Sequence, residues 1–269
     1  MVIVHLKGGL GNQLFQYAYG KALMETGVEV IFDTSFFYKE NSYTKRLLSL
    51  DKFNIPSETH FRNVESKQIY WKRILNKIDS DRRVRFVKME KYKKSGVADG
   101  DYVSEKYFST IRKKLLQEIT LKEESPLFLK YKKQILESKN PTIVHARRTD
   151  YLASTGFTQL SVEYYKDGRM MIEDQATLFC FSDDPDWVKT LFPSEEVVIV
   201  SGNGLTDYEE LMLMSYGKNF IIANSTFSWW GAWLAQHPNK KVIAPKKWFT
   251  RKLWLRANRD VVPEGWIRV

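Results

Sequence analysis

Cysteine is nearly absent: Cys180 is the one thiol in 269 residues, so no disulfide can close within the chain, and a reducing compartment is expected. It lies inside "TLFCF", where a thiol acts as a small buried hydrophobe. Long hydrophobic runs are missing too. No segment reaches the roughly 18 consecutive apolar residues of a membrane-spanning helix, and "MVIVHLKGG" is too short for the hydrophobic region of a signal peptide. The reading is a cytoplasmic protein. Two familiar phosphate-binding signatures are also lacking: there is no G-x-x-x-x-G-K-[ST], and Gly8, Gly9 and Gly11 do not spell G-x-G-x-x-G, which excludes a P-loop NTPase and a dinucleotide fold. Internal repeats, low-complexity segments and the RNP, KH and zinc-finger signatures of nucleic-acid binders are likewise absent.

What is present is the mix of a globular protein, with 43% hydrophobic and 28% charged residues, long enough for one large or two ordinary domains. Lys and Arg exceed Asp and Glu by 42 to 32, a net charge of +10. Such a balance favours an anionic partner: nucleic acid, a membrane surface or a phosphorylated substrate.

The opening "HLKGGLGNQLFQYA" follows an apolar strand (2–6) and leads into a helix near 12–26, with a second strand at 28–32, the start of an α/β unit. A glycine turn between strand and helix lets backbone N–H groups approach an anion at the helix N-terminus. Asn12 and Gln13 add neutral amides that donate to an anion and accept from a hydroxyl. Residues 33–101 are aromatic and basic, with a helix expected in "VESKQIYWKRILNKID". "DGDYVSEKYF" reads as a strand and "STIRKKLLQEI" as a helix. A further helix, "PLFLKYKKQILES", ends before Pro141, which cannot continue it. The domain boundary is placed there, giving domains 1–140 and 141–269.

Beyond Pro141, "TIVHAR", "ATLFCF", "EVVIVS", "NFIIAN" and "KKVIAP" alternate with helices expected at 162–172, 185–191, 207–214 and 226–236. Strict alternation implies a parallel sheet covered on both faces, whose ligands bind outside the carboxyl ends of its strands. Three polar clusters fall just there. "HARRTD" carries His145, Arg147, Arg148 and Asp150; in extended chain the two arginines point to opposite sides, one toward a ligand and one bracing. Arginine's planar fork suits a diphosphate. "CFSDDPDW" carries Ser182, Asp183 and Asp184, where a carboxylate accepts from the N1–H and N2–H₂ edge of guanine or caps the next helix. "NSTFSWWGAWLA" carries Asn224, Ser225 and Thr226 as a hydroxyl-rich cap or phosphate seat, and its tryptophans at helical spacing read as core. D-x-D pairs at Asp79–Asp81, Asp99–Asp101 and Asp184–Asp186 would suit Mg²⁺ or Mn²⁺ on a nucleotide sugar.

"GGLGNQLFQYA", "HARRTDY", "FSDDPDW" and "NSTFSWWGAWLA", in this order, resemble the bacterial α-1,2-fucosyltransferases. That resemblance implies inverting transfer of L-fucose from GDP-fucose to a galactose hydroxyl of an oligosaccharide. It also implies a GT-B-like α/β fold of two Rossmann-like halves, the donor held mainly by the C-terminal half, and no metal. On this reading Arg147 holds the diphosphate, with Arg148 beside it. His145 and Asp183 or Asp184 approach guanine, Ser182 and Asn224 belong to the donor site, and Ser225 and Thr226 cap phosphate. Gly9, Gly11, Asn12 and Gln13 would close over the donor from the other half. More distant fucosyltransferases with H-x-R-R-x-D carry a glutamate a few residues further on. Here "DYLASTGFTQ" has none, and Asp150 is the nearest candidate base. The expected enzyme is cytoplasmic, with peripheral attachment to the inner face of a bacterial membrane compatible with its charge. Two other readings stand beside it: a metal-dependent D-x-D glycosyltransferase using another nucleotide sugar, and a basic nucleic-acid binder.

Overall fold

A computed structural model of the chain describes residues 1–38, 46–64, 96–148, 158–173, 175–193, 195–250 and 258–269. The chain divides into two compact units, Met1–Lys122 with Lys252–Pro263, and Glu123–Arg251 with Glu264–Val269.

The first unit is built on a parallel sheet of order β3-β2-β1-β4, from β1 (Val2–His5), β2 (Val30–Asp33), β3 (Phe61–Arg62) and β4 (Gly96–Ala98). Helix α1 (Leu10–Met24) crosses between β1 and β2. It buries Leu14, Phe15, Tyr17, Ala18 and Tyr19, an apolar load too wide for one amphipathic stripe. Phe32 packs against both Tyr17 and Phe61, with ring centroids 5.4 and 5.5 Å away. One buried charge inside α1 is compensated: Lys21 pairs with Glu118 at 2.9 Å, and Tyr17 donates to the same carboxylate at 2.5 Å. Both belong to the link between α1 and α2 (Arg112–Glu118).

Residues 99–108, expected as a strand, form none; β4 ends at Ala98, and two 3₁₀ turns, Glu105–Tyr107 and Ser109–Ile111, lead into α2. The cause is aromatic packing. Tyr102 takes a φ of 51° and stacks on Tyr19 at 3.8 Å, with Tyr107 edge-on to both. Its ring lies where a side chain on Gly100 would sit, 2.7 Å from the ideal Cβ, so extended pairing yields to this stack. The helix expected in "VESKQIYWKRILNKID" lies outside the described residues, apart from Val64.

The second unit carries a six-stranded parallel sheet of order β10-β9-β8-β5-β6-β7. Its strands are β5 (Thr142–Ala146), β6 (Leu178–Ser182), β7 (Val197–Ile199), β8 (Asn219–Ile221), β9 (Lys241–Ala244) and β10 (Ile267–Arg268). The helices are α3 (Pro126–Glu137), α4 (Val162–Met170), α5 (Pro185–Leu191), α6 (Asp207–Met214) and α7 (Thr226–Leu234). Central strands β5, β6 and β8 are buried along their whole length, as a sheet covered on both faces requires. Trp229, Trp230 and Trp233 are buried and pack ring to ring, which leaves no exposed stacking surface for bases there. Cys180 is buried in β6, and burial pushes its thiol up to about 12. Lys240 closes α7, donating to the carbonyls of Ala232 and Ala235 at 2.8 and 2.9 Å.

The second unit begins at Glu123, ahead of the boundary expected at Pro141. Helix α3 belongs to it because Phe128, Tyr131 and Ile135 are buried and α3 packs on α6. Lys132 lies 5.1 Å over the Tyr216 ring, and Asn203 donates to the Tyr131 hydroxyl at 3.1 Å. Near its end the chain returns to the first unit, where α8 (Asn258–Val261) offers Asp260 to Lys106 at 2.5 Å, and then adds β10 to the second sheet.

Candidate active site

Because β5 lies between β6 and β8, the three polar clusters of the second unit end up side by side at the carboxyl ends of neighbouring strands. His145, in β5, is 5% exposed, and its ring lies against Phe227 at 5.8 Å. Burial, reinforced by the Arg147 charge and opposed by Asp183, pushes it down to about 3, so the imidazole is neutral at physiological pH. Its Nδ1 is buried without a hydrogen-bond partner. Such an orphan is costly unless something completes it.

The two arginines divide as extended backbone demands. Arg148 is fixed twice: Nε lies 3.1 Å from Asp184, and the guanidinium lies 4.1 Å over the Trp187 ring. Arg147 is held by a longer contact, 3.3 Å from Nε to Asp183, and is about a third exposed. Both carboxylates expected at guanine therefore already carry partners on each oxygen. Asp183 also accepts from the Arg148 backbone N–H at 2.9 Å, and Asp184 caps α5 by accepting from the Trp187 N–H at 3.2 Å. Their place in the site is to hold the arginines.

Ser182 accepts from the Asp184 N–H at 2.9 Å, while its own N–H donates to the Ser201 hydroxyl at 3.1 Å. Asn224 does not face outward: its amide donates to the carbonyls of Thr158 and Trp248, each at 2.9 Å, and ties two loops together. Ser225 is the N-cap of α7, accepting from the Phe227 N–H at 3.3 Å, and Thr226 begins the helix half-buried. No acidic residue occupies that first turn, so the helix's own sequence sets no carboxylate against its positive end. Asp150 lies outside the described residues.

In the first unit the glycine loop joins β1 to α1. Gly8 takes a φ of +78°, a conformation that favours glycine. Gly9 is the N-cap of α1 with no side-chain bond, and the first turn holds no acid. Gly11 is buried and Asn12 half-buried within that turn. Gln13, expected to offer its amide to a ligand, is wholly buried and spent on backbone: it donates to the carbonyls of Gly8 and Leu47 and accepts from the Ser49 N–H. It sets the turn's shape.

Of the D-x-D pairs, Asp99 is ion-paired with Lys7, whose Nζ also lies 3.9 Å from Asp101. Asp186 is exposed and pairs with Lys189 at 3.0 Å. Asp79–Asp81 lies outside the described residues. Among the described residues no three His, Cys, Asp or Glu side chains gather as a metal site.

Two residues of this region escape sequence reasoning. Ser201 follows β7 and donates to Glu210 at 2.8 Å, so a line of hydrogen bonds runs from the Ser182 N–H through Ser201 to the Glu210 carboxyl. The available signal is position: Glu210 stands three and four residues before buried Leu213 and Met214, on a face that should be apolar.

No helix among the described residues is long and apolar enough to cross a membrane. Comparison with solved structures bears on the fold. The fucosyltransferase NodZ from Bradyrhizobium is 14% identical with a TM-score of 0.51, covering 86% of this chain and 91% of that one. A structure of NodZ α-1,6-fucosyltransferase soaked with GDP-fucose is 15% identical with a TM-score of 0.50, covering 87% and 92%. The architecture is accordingly GT-B-like, an α/β fold with two Rossmann-like units. Two Escherichia coli proteins are each 32% identical to this chain. The O-antigen biosynthesis glycosyltransferase WbnK matches over 91% of this chain and 93% of its own length, and an alpha-1,2-colitosyltransferase over 100% and 99%. The profile of glycosyl transferase family 11 spans residues 1–269, and with relatives at that identity along the whole length the chain belongs to this family of glycosyltransferases.

Proposed function

We propose that this glycosyltransferase moves L-fucose from GDP-fucose to a galactose hydroxyl of an oligosaccharide, forming an α-1,2 linkage with inversion and without a metal. One observation carries the reading: a buried, neutral His145 with an orphan Nδ1 stands beside Arg147 at the end of the central strand β5. The pairing suits a nucleotide diphosphate, with a fixed cation for phosphate and a neutral ring to complete a hydrogen bond. The GDP-fucose carried by the NodZ structure supports the choice of donor.

In the proposed step the acceptor oxygen attacks the anomeric carbon from the face opposite the diphosphate. The bond from that carbon to the β-phosphate oxygen breaks, GDP leaves, and the acceptor proton passes to a base, for which Asp150 is the candidate. Charge grows on the leaving phosphate, so a positioned arginine stabilises the transition state more than the bound donor. Ser225 and Thr226 at the head of α7 add partial positive charge and a hydroxyl.

The test is transfer from labelled GDP-fucose to a panel of galactosides, with linkage read by NMR, in EDTA and in added Mn²⁺. An α-1,2-fucoside formed equally in both supports the reading; no transfer without Mn²⁺ would overturn metal independence. GDP-colitose forms a second arm because of the colitosyltransferase relative. Preference for it would change the sugar and leave the nucleotide. Asp150→Asn should slow transfer while sparing GDP affinity if that carboxylate takes the proton.

A further inference from the structure

We propose that Glu210 is the carboxylate that reads the base of the donor nucleotide, accepting from the adjacent N1–H and N2–H₂ donors of guanine. The inference rests on the GDP-sugar reading above and deepens it, since the two aspartates at the end of β6 are committed to Arg147, Arg148 and backbone N–H groups.

Glu210 is half-buried, and its partners differ from those of the buried carboxylates Glu118, Asp33 and Glu209. Glu118 has Lys21 and Tyr17. Asp33 has His5, the Ser35 N–H and hydroxyl, and the Val64 N–H. Glu209, its neighbour, accepts from the N–H and hydroxyl of Thr206 in a capping box. Glu210 has one bond, from Ser201 to Oε2, and no cation pairs with it among the described residues, in a chain with a surplus of ten positive charges. Burial, helped by Asp207 one turn earlier and opposed by the Ser201 bond, pushes this carboxyl up to about 7. A carboxyl partly withdrawn from water with one protein donor is incomplete.

Its position points to what completes it. Ser201 is held by the N–H of Ser182, the last residue of β6, so the carboxyl is tied to the carboxyl ends of β6 and β7, where parallel sheets bind their ligands. A second incomplete group stands on the adjoining strand: the orphan Nδ1 of His145, whose residue pairs in register with Phe181 of β6. Guanine presents two neighbouring donors, matching two carboxylate oxygens. Adenine presents a ring lone pair at that edge, and uracil flanks its single N–H with carbonyls, so both place acceptors against a carboxylate. Hypoxanthine keeps N1–H and lacks the 2-amino group, which makes IDP the discriminating probe.

Calorimetric titration of the full chain and of Glu210→Gln with GDP, IDP, GMP, ADP and UDP tests this. The glutamine keeps the acceptor for Ser201 and loses the second. The native chain should bind GDP about ten- to a hundredfold more tightly than IDP, as expected for one hydrogen bond to a charged group. Glu210→Gln should lose GDP affinity and most of the GDP-over-IDP preference, with the GDP-to-GMP ratio, set by the β-phosphate, unchanged. Should the native chain prefer GDP and Glu210→Gln keep the full preference over IDP, the inference is overturned while the GDP-sugar reading stands. Should the native chain bind GDP no better than ADP and UDP, the donor reading fails and the inference falls with it.

Discussion

Adjacent arginines at a strand end are chemically identical, and the structure separates them by what each touches. Arg148 stacks on Trp187 and pairs with Asp184, contacts worth about 0.5–1 kcal/mol for the cation–π term and about 0–1 kcal/mol for a part-exposed pair. Removing it should lower thermal stability by roughly 1 kcal/mol along with donor affinity. Arg147 has the longer ion pair and sits next to the orphaned His145, so its loss should show in rate. Arg147→Ala is expected to lower kcat by about 10²–10³-fold, the scale seen when one preorganised donor to a developing charge is removed. Lysine should recover little, because a point charge replaces a planar fork. The readout is kcat, KM and Tm side by side for both variants. A near-native kcat for Arg147→Ala would remove this residue from the transition state. Asp183 and Asp184 are positioning residues, and neutralising either should weaken the arginine it holds.

At the level of elements, packing decides where propensity would mislead. Gly20 lies within α1, and alanine there gains about 1 kcal/mol in helix propensity. Its Cβ would come 2.4 and 2.5 Å from the Phe32 ring, which also packs against Tyr17 and Phe61. Overpacking a buried ring costs about 1–3 kcal/mol, so Gly20→Ala should lower Tm; a rise would mean the ring can swing clear. The same competition separates what the sequence made legible from what it hid. Strands β5, β6, β8 and β9 could be read because each lies in a short apolar run that the structure largely buries, as "TIVHA" and "LFCFS" are, and β7 lies in the same kind of run although it is only half-buried. Strands β3, β4 and β10 are two or three residues long and carry no period to detect. The loop after β4 reads as a strand because Tyr102 and Val103 have strand propensity, while in the structure tertiary stacking on Tyr19 wins. Among site residues, the clusters and their adjacency were legible from strand ends. What each side chain does was not, since Gln13 and Asn224 turn inward to backbone carbonyls that no local pattern announces.

For the molecule as a whole, a group left incomplete for a ligand should cost stability when that ligand is absent, and Glu210 makes the cost measurable through pH. Its carboxyl rises from 4.5 to about 7 on folding, chiefly by burial. A raised carboxyl pKa means that the folded state holds the proton more tightly than the unfolded state. Below about pH 4.5 both states are protonated and nothing is lost. Between pH 4.5 and 7 the unfolded chain releases its proton first, so stability falls with rising pH, and above pH 7 the full penalty remains. At 1.36 kcal/mol per unit the penalty is about 3 kcal/mol as an upper bound, reduced by the part of the side chain that water reaches. Glutamine has no charge to bury and keeps the bond from Ser201. Glu210→Gln should therefore match the native Tm near pH 4.5 and exceed it increasingly up to pH 8, by a few degrees for each kcal/mol gained. GDP should narrow the gap: at pH 8 it adds RT ln(1 + [L]/Kd), about 2.7 kcal/mol at a hundredfold excess over Kd, to the native chain and much less to the variant. Melting curves from pH 4.5 to 8, with and without GDP, check both halves. A variant less stable than the native chain at pH 8 without GDP would make Glu210 a structural carboxylate and remove the basis for this trade.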